Sequence, residues 1–240
     1  MTVAATLLLV TGCTVWRLGE ARSLARASEP FQQQPAAPAL HLLVLGDSTG
    51  VGTGASAPAF SVAGLLGTSY PRLAIENRSR DGARFVELPS QLSGAVQPSA
   101  GWDLILISAG GNDVIRGTDS AALAQAIDRS FAEARARLAP GGQLLVQAPG
   151  NVGHAPFFLA PVSMLMNGRA AELHAIVRTA AARHGVTVID MARPPEQDPF
   201  VQRPELNASD GLHPSDAGYR VWHDELLAQT DLRARLAVAR

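Results

Sequence analysis

Cysteine is nearly missing from this chain: Cys13 is the only one in 240 residues. A disulfide within the chain is therefore excluded, as is a metal site built on cysteines. No single sign of charge dominates either, with 20 Lys+Arg against 21 Asp+Glu. Phosphate backbones are gripped by a concentrated basic face, so nucleic acid is not the expected partner. Arg129, Arg135 and Arg137 read as a solvated helix face rather than such a patch. No apolar run approaches the ~20 residues of a membrane-crossing helix. His, Asp and Glu do not recur at metal-ligand spacing, so no metal and no cofactor are expected. Aromatics are scarce at 5%, while Ala, Gly, Leu and Val abound, a composition that suits a compact α/β protein. The length suffices for one well-buried domain.

The N-terminal part differs from the rest. Residues 3–10 (VAATLLLV) form a short apolar run that leads into Val10-Thr11-Gly12-Cys13. Its length fits the apolar segment of a secretory signal, and the last four residues resemble a bacterial lipobox, in which the cysteine becomes the lipidated first residue. Residues 1–16 are therefore expected to be a leader or membrane anchor. That implies export to the cell envelope or periplasm and membrane association through the N-terminus. No Lys or Arg precedes the apolar run, which leaves a cytoplasmic or N-terminally anchored form as the alternative. Residues 17–40 carry Gln32-Gln33-Gln34 with Pro30, Pro35 and Pro38 and read as a tether. The folded domain is expected over 41–240.

From His41 onward the chain alternates strand-like and helix-like segments. Leu42-Leu43-Val44-Leu45 is a continuous apolar run closed by Gly46, the pattern of a strand buried on both faces. Further strands are expected at 73–77, 104–107, 143–146 and 186–189. Helices are expected near 59–69, 83–94, 119–138, 166–184 and 215–238. In the third of these Leu123, Ile127, Ala134 and Leu138 recur at helical spacing, and Pro140-Gly141-Gly142 should end it. Strands separated by helices of this length imply an α/β fold, a five-stranded parallel sheet covered on both faces.

In such sheets ligands bind beyond the carboxyl ends of the strands, and polar clusters stand there. Gly46-Asp47-Ser48-Thr49-Gly50 follows the first strand, Asn77-Arg78-Ser79-Arg80-Asp81-Gly82 the second, and Gly110-Gly111-Asn112-Asp113 the third. Asp210-Gly211-Leu212-His213-Pro214 lies near the end. A serine hydroxyl needs a base to become a nucleophile. His213 has a side chain suited to that role near neutral pH. Asp210, on the same loop, is placed to hold the imidazole in the right tautomer; Asp190 and Asp198 are the other carboxylates able to do so. The backbone N–H groups of Ser48 and Gly82 and the amide of Asn112 could receive the oxyanion of a tetrahedral intermediate. Asp47 and Asp113 read as braces for their loops.

These four groups, in this order, resemble the blocks of the SGNH/GDSL hydrolase superfamily: GDST at 46–49, N-x-S-x-x-G at 77–82, G-x-N-D at 110–113 and D-x-x-H at 210–213. Thr49 stands where the family name has leucine. The resemblance spans residues 41 to about 225. It implies a flavodoxin-like three-layer α/β/α sandwich and cofactor-free hydrolysis of an ester or thioester.

Other readings fit less well. Gly50, Gly52 and Gly54 do not make a dinucleotide loop, because Asp-Ser interrupts the first turn. Gly46-Asp47-Ser48-Thr49-Gly50 also matches the nucleophile elbow of α/β-hydrolases. That fold needs several strands before the serine, whereas here one precedes it. Residues 155–168 (APFFLAPVSMLMNG) are apolar and loop-like, a candidate lip for an acyl pocket. His154, Phe157 and Phe158 are the expected substrate contacts. The expected reaction is hydrolysis of short or medium acyl esters, lysophospholipids or thioesters through an acyl-Ser48 intermediate, with a small-molecule or lipid acyl ester as partner. The alternatives are a carbohydrate O-acetyl esterase or acetyltransferase on the same triad, and a non-catalytic binding module.

Overall fold

The computed structural model describes residues 16–240. Residues 1–15 of the expected leader, Cys13 among them, lie outside the described residues. Strand β1 (Leu40–Gly46) is an inner strand because of its unbroken apolar run. Successive side chains of a strand point to opposite faces, so burial on both sides requires an apolar residue at every position. Leu43 and Leu45 accordingly enter one core, and Leu42 and Val44 enter the other. Strand β3 (Trp102–Ser108) repeats the pattern, with Ile105 and Ile107 in the first core and Leu104 and Leu106 in the second. With β2 (Leu73–Asn77), β4 (Leu138–Val146) and β5 (Thr187–Val188), the described strands form one sheet in the order β2-β1-β3-β4-β5. Every neighbouring pair is parallel.

The helices follow in chain order. Residues 16–27 form α1, ahead of β1. Between β1 and β2 lie α2 (Ser48–Val51) and α3 (Val62–Ser69), and α4 (Leu88–Ser93) precedes β3. Then come α5 (Gly111–Arg116), α6 (Ser120–Arg135) and α7 (Val162–His184), followed after β5 by α8 (Pro199–Gln202), α9 (Asp216–Ala228) and α10 (Leu232–Arg235). Leu88 of α4, Phe131 of α6 and Leu173 of α7 join the first core; Leu66 of α3, Tyr219 of α9 and Leu232 of α10 join the second. The result is the expected three-layer α/β/α sandwich. Its strand order reverses direction between β1 and β3, and that switch point is where doubly wound sheets open a crevice for ligands.

Helix α6 shows how sequence makes an element. Leu123, Ile127, Phe131 and Ala134 fall on one stripe and are buried, and the Asp119 carboxylate accepts the N–H groups of Ala121 and Ala122 at its start. Phe131 then meets Phe85 edge-on, with centroids 6.4 Å apart. The helix ends at Arg135, short of the expected 138, and Leu138 already pairs with Trp102. The next partner of β3, Leu104, faces Gln143, so residues 139–142 bulge out of the ladder. Pro140 has no N–H to contribute, and a bulge at the sheet margin accommodates it. The last expected helix is broken into α9 and α10. Asp231, at the break, accepts the Gln143 side chain.

Residues 17–40, expected as a tether, are folded against the domain. Beyond α1, the backbone of Gln33 exchanges both hydrogen bonds with Ile75 of β2, at 3.0 and 2.8 Å. Phe31 packs on the second core. The outer edge of β2 offers free donors and acceptors, and one antiparallel bridge needs only backbone groups, which composition does not reveal.

Candidate active site

Strand β1 stops at Gly46 with φ +155°, where a Cβ would lie 1.9 Å from the carbonyl oxygen of Ser108. Only glycine lets the ends of β1 and β3 approach this closely. The Gln91 side chain fixes the turn from below: its Oε1 accepts the Gly46 N–H at 2.9 Å and its Nε2 donates to the Gly46 carbonyl at 2.8 Å. Asp47 then caps the short α2, accepting the Thr49 N–H and hydroxyl at 2.9 and 2.7 Å. This cap starts the helix at Ser48 and turns its side chain out of the sheet end.

His213 arrives from the far end of the chain. Its Nε2 lies 2.9 Å from Ser48 Oγ, and its Nδ1 lies 2.6 Å from Asp210 Oδ2. In the tautomer this implies, Nδ1–H donates to the carboxylate and Nε2 accepts the serine hydroxyl. The other oxygen of Asp210 accepts the N–H groups of Leu212 and His213, at 2.9 and 3.0 Å. Burial alone would raise the Asp210 carboxyl. The hydrogen bond from His213, the histidine charge and the two N–H groups outweigh burial and hold it below the ordinary aspartate range. Asp190 and Asp198 are engaged elsewhere, the first with the Ala192 N–H and the second with His154.

Ser48, Gly82, Asn112 and His213 line one cavity of about 660 Å³ at this end of the sheet. Gly82 sits at φ +77°, a conformation that turns its peptide away from the β2 direction. Among the described residues, neither the Gly82 N–H nor the Asn112 side-chain amide has a partner within the protein. Both donors are therefore free for a ligand. A nucleophile, a base, an orienting carboxylate and unengaged donors are the parts needed for acyl transfer.

A model of the GDSL-like lipase/acylhydrolase family matches residues 44–221. The chain belongs to this family. Solved structures share the fold of this hydrolase at low identity. An extracellular lipase from Streptomyces rimosus aligns with TM-score 0.59 and 21% identity over 80% of this chain and 100% of its own. LAE5, an α/β hydrolase from the metagenome of Lake Arreo, Spain, gives TM-score 0.60 and 22% identity over 80% and 95%. A variant acetyl-xylooligosaccharide esterase from Geobacillus gives 0.60 and 19% over 82% and 96%. No curated protein matches in sequence.

Around the serine of this hydrolase, the remaining expected residues separate. His154 lines the cavity, with its Nδ1 2.7 Å from Asp198 Oδ2. Phe157 lines it too. Phe158, expected as a substrate contact, is not among the lining residues; it packs against the first core and edge-on to Phe157. Asp113 braces its loop by accepting the Phe85 N–H at 3.0 Å and the Thr118 hydroxyl at 2.9 Å. Asn77 does likewise, donating to the Gly50 carbonyl at 2.8 Å.

Two residues escaped the sequence reading. Gln91 is 1% exposed, and its only signal was a polar residue beside Leu88 and Leu92 in a buried helix. Asp81 also lines the cavity, where its carboxylate accepts the Thr53 hydroxyl at 2.6 Å; burial pushes its pKa up. Among the described residues no group of three or more His, Cys, Asp or Glu could hold a metal ion.

Proposed function

We propose that this protein hydrolyses carboxylic esters through an acyl-Ser48 intermediate. The observation that carries the reading is the continuous row Ser48–His213–Asp210, at 2.9 and 2.6 Å, opening into a cavity beside unengaged donors. Family and fold support a hydrolase in general; the ester class and the residue roles are our reading. In it, Ser48 Oγ attacks the ester carbonyl while His213 Nε2 takes the hydroxyl proton. Asp210 holds the imidazole and stabilises the imidazolium. The N–H groups of Ser48 and Gly82 and the Asn112 amide receive the oxyanion. Collapse expels the alcohol, which leaves with the proton from His213. Water, deprotonated by the same histidine, then attacks the acyl-serine and releases the carboxylic acid. The apolar wall groups Ile115, Val152 and Phe157 favour short or medium acyl chains over a bare polar sugar ester.

The test is turnover of p-nitrophenyl esters from acetate to palmitate. Wild type should hydrolyse part of the series, and Ser48→Ala should lose activity by a factor on the order of 10⁶. Labelling by a fluorophosphonate should vanish in the same variant. A folded wild type that neither turns over nor labels would overturn the reading. Export with lipidation at Cys13 also stands as a proposal, read from intact mass: a chain beginning at Cys13 with a lipid adduct, against one beginning at Met1.

A further inference from the structure

Helix α1 lines part of the catalytic cavity, although the sequence assigns residues 17–27 to a tether. Leu18, Ala21 and Ala25 line the same cavity as Ser48 and His213. They recur at i, i+3 and i+7, one stripe of a helix. Two contacts hold the helix there. The Ser209 hydroxyl donates to Glu20 Oε1 at 2.6 Å, and the Arg17 guanidinium donates to the Pro156 carbonyl. Both partners adjoin the catalytic loop: Ser209 precedes Asp210, and the N–H of Phe157, next to Pro156, donates to the Gly211 carbonyl at 2.9 Å. So short a helix is marginal in water on its own, and its position depends on this docking.

The face that α1 turns to the cavity is Leu18, Ala21 and Ala25 with the guanidinium-bearing Arg22 among them, and it is poorly buried. Leu18 remains 42% exposed, although it belongs to the cavity lining. Ile115, Val152 and Phe157 line the same cavity. A leucine left open toward an apolar cavity is stabilised when an apolar group fills the space between the walls.

We propose that α1 is a wall of the acyl-binding site, with Leu18, Ala21 and Ala25 receiving the hydrocarbon chain of a medium-length acyl group. This deepens the ester-hydrolase reading and rests on it for the word acyl. The apolar chain binding it asserts can be measured without catalysis. The wall makes the segment before the domain part of specificity: the serine and histidine select the bond, and α1 selects the chain attached to it.

The experiment is calorimetric binding of decanoate, below its micelle concentration, to the full-length protein. Ala21→Trp fills the cavity from the α1 side, Leu18→Ser removes the apolar surface, and Arg26→Trp adds bulk at an exposed α1 position outside the lining. Each methylene kept from an apolar wall is worth roughly fourfold in affinity. Ala21→Trp should therefore weaken decanoate binding by about tenfold or more, Leu18→Ser should weaken it less, and Arg26→Trp should leave it unchanged. If Ala21→Trp fails to fold, Leu18→Ser carries the test. No decanoate binding by the parent, or equal binding by all the folded proteins, overturns the proposal. Fluorophosphonate labelling of the same samples separates the two claims. Labelling with unaltered decanoate binding removes the wall and keeps the hydrolase. No labelling, with binding lost in Ala21→Trp, does the reverse.

Discussion

Asp210 has no exposed surface and accepts three hydrogen bonds, two from backbone N–H groups and one from His213. Asp210→Asn keeps the shape but presents an amide to Nδ1, which favours the wrong tautomer. Turnover of a p-nitrophenyl ester should fall by about 10⁴-fold while the protein stays folded. The same carboxyl links stability to pH. Its folded value lies below the ordinary 3.8, so its stabilisation is complete above pH 3.8 and is lost as the pH falls through the folded value. Asparagine does not titrate. The gap in urea midpoint between wild type and Asp210→Asn should close as the solution is made acidic through the folded value of Asp210. Asp47, Asp81 and Asp113, raised chiefly by burial, act in the opposite sense, but both proteins share them. A gap indifferent to pH would contradict the assignment. Gln91 is the other residue with a sharp expectation. Gln91→Leu leaves the buried Gly46 N–H without its partner, while the Gly46 carbonyl keeps the Arg80 N–H at 3.1 Å, at ~1–3 kcal/mol for the unpaired donor. Denaturant unfolding should show that loss, and activity should drop because Ser48 stands two residues beyond Gly46.

At the scale of elements, the periodic signals translate well where the partner is guaranteed. The stripe of α6 meets the apolar face that Leu43, Leu45, Ile105 and Ile107 give the sheet, and Phe131, fully buried, fills the space against Phe85. Phe131→Ala should destabilise by ~3–5 kcal/mol, read as a shift in denaturant midpoint at constant slope. Boundaries were less legible. The end of α6, the bulge of β4 and the break between α9 and α10 each depend on a partner far along the chain, such as Trp102 for Leu138 or Gln143 for Asp231. Helix α1 is the clearest case. Its residues have good helical propensity, but what holds it is Ser209 and Pro156.

For the whole molecule, the sheet separates two cores that share few side chains. Leu66 belongs to one and Phe131 to the other. The double variant Leu66→Ala, Phe131→Ala should cost the sum of the single variants to within ~0.5 kcal/mol, in one cooperative transition, because both cores lean on the same strands. Two separate transitions, or a large coupling, would show that the layers do not unfold as one body.

What the residues determined by themselves is the part set by local pattern. Runs apolar at every position made strands buried on two faces, and polar clusters directly after them named Ser48, Gly82 and Asn112 at the sheet end, with Asp210 and His213 on the closing loop. Strand ends converge in any parallel sheet, so position in the pattern already implied position in space. Only the tertiary structure decided that Gln91 grips Gly46, that Phe157 and not Phe158 lines the cavity, and that Leu18, Ala21 and Ala25 line it too. Each of those depends on which atoms meet across long separations in the chain, and a meeting of that kind leaves no period or spacing to read.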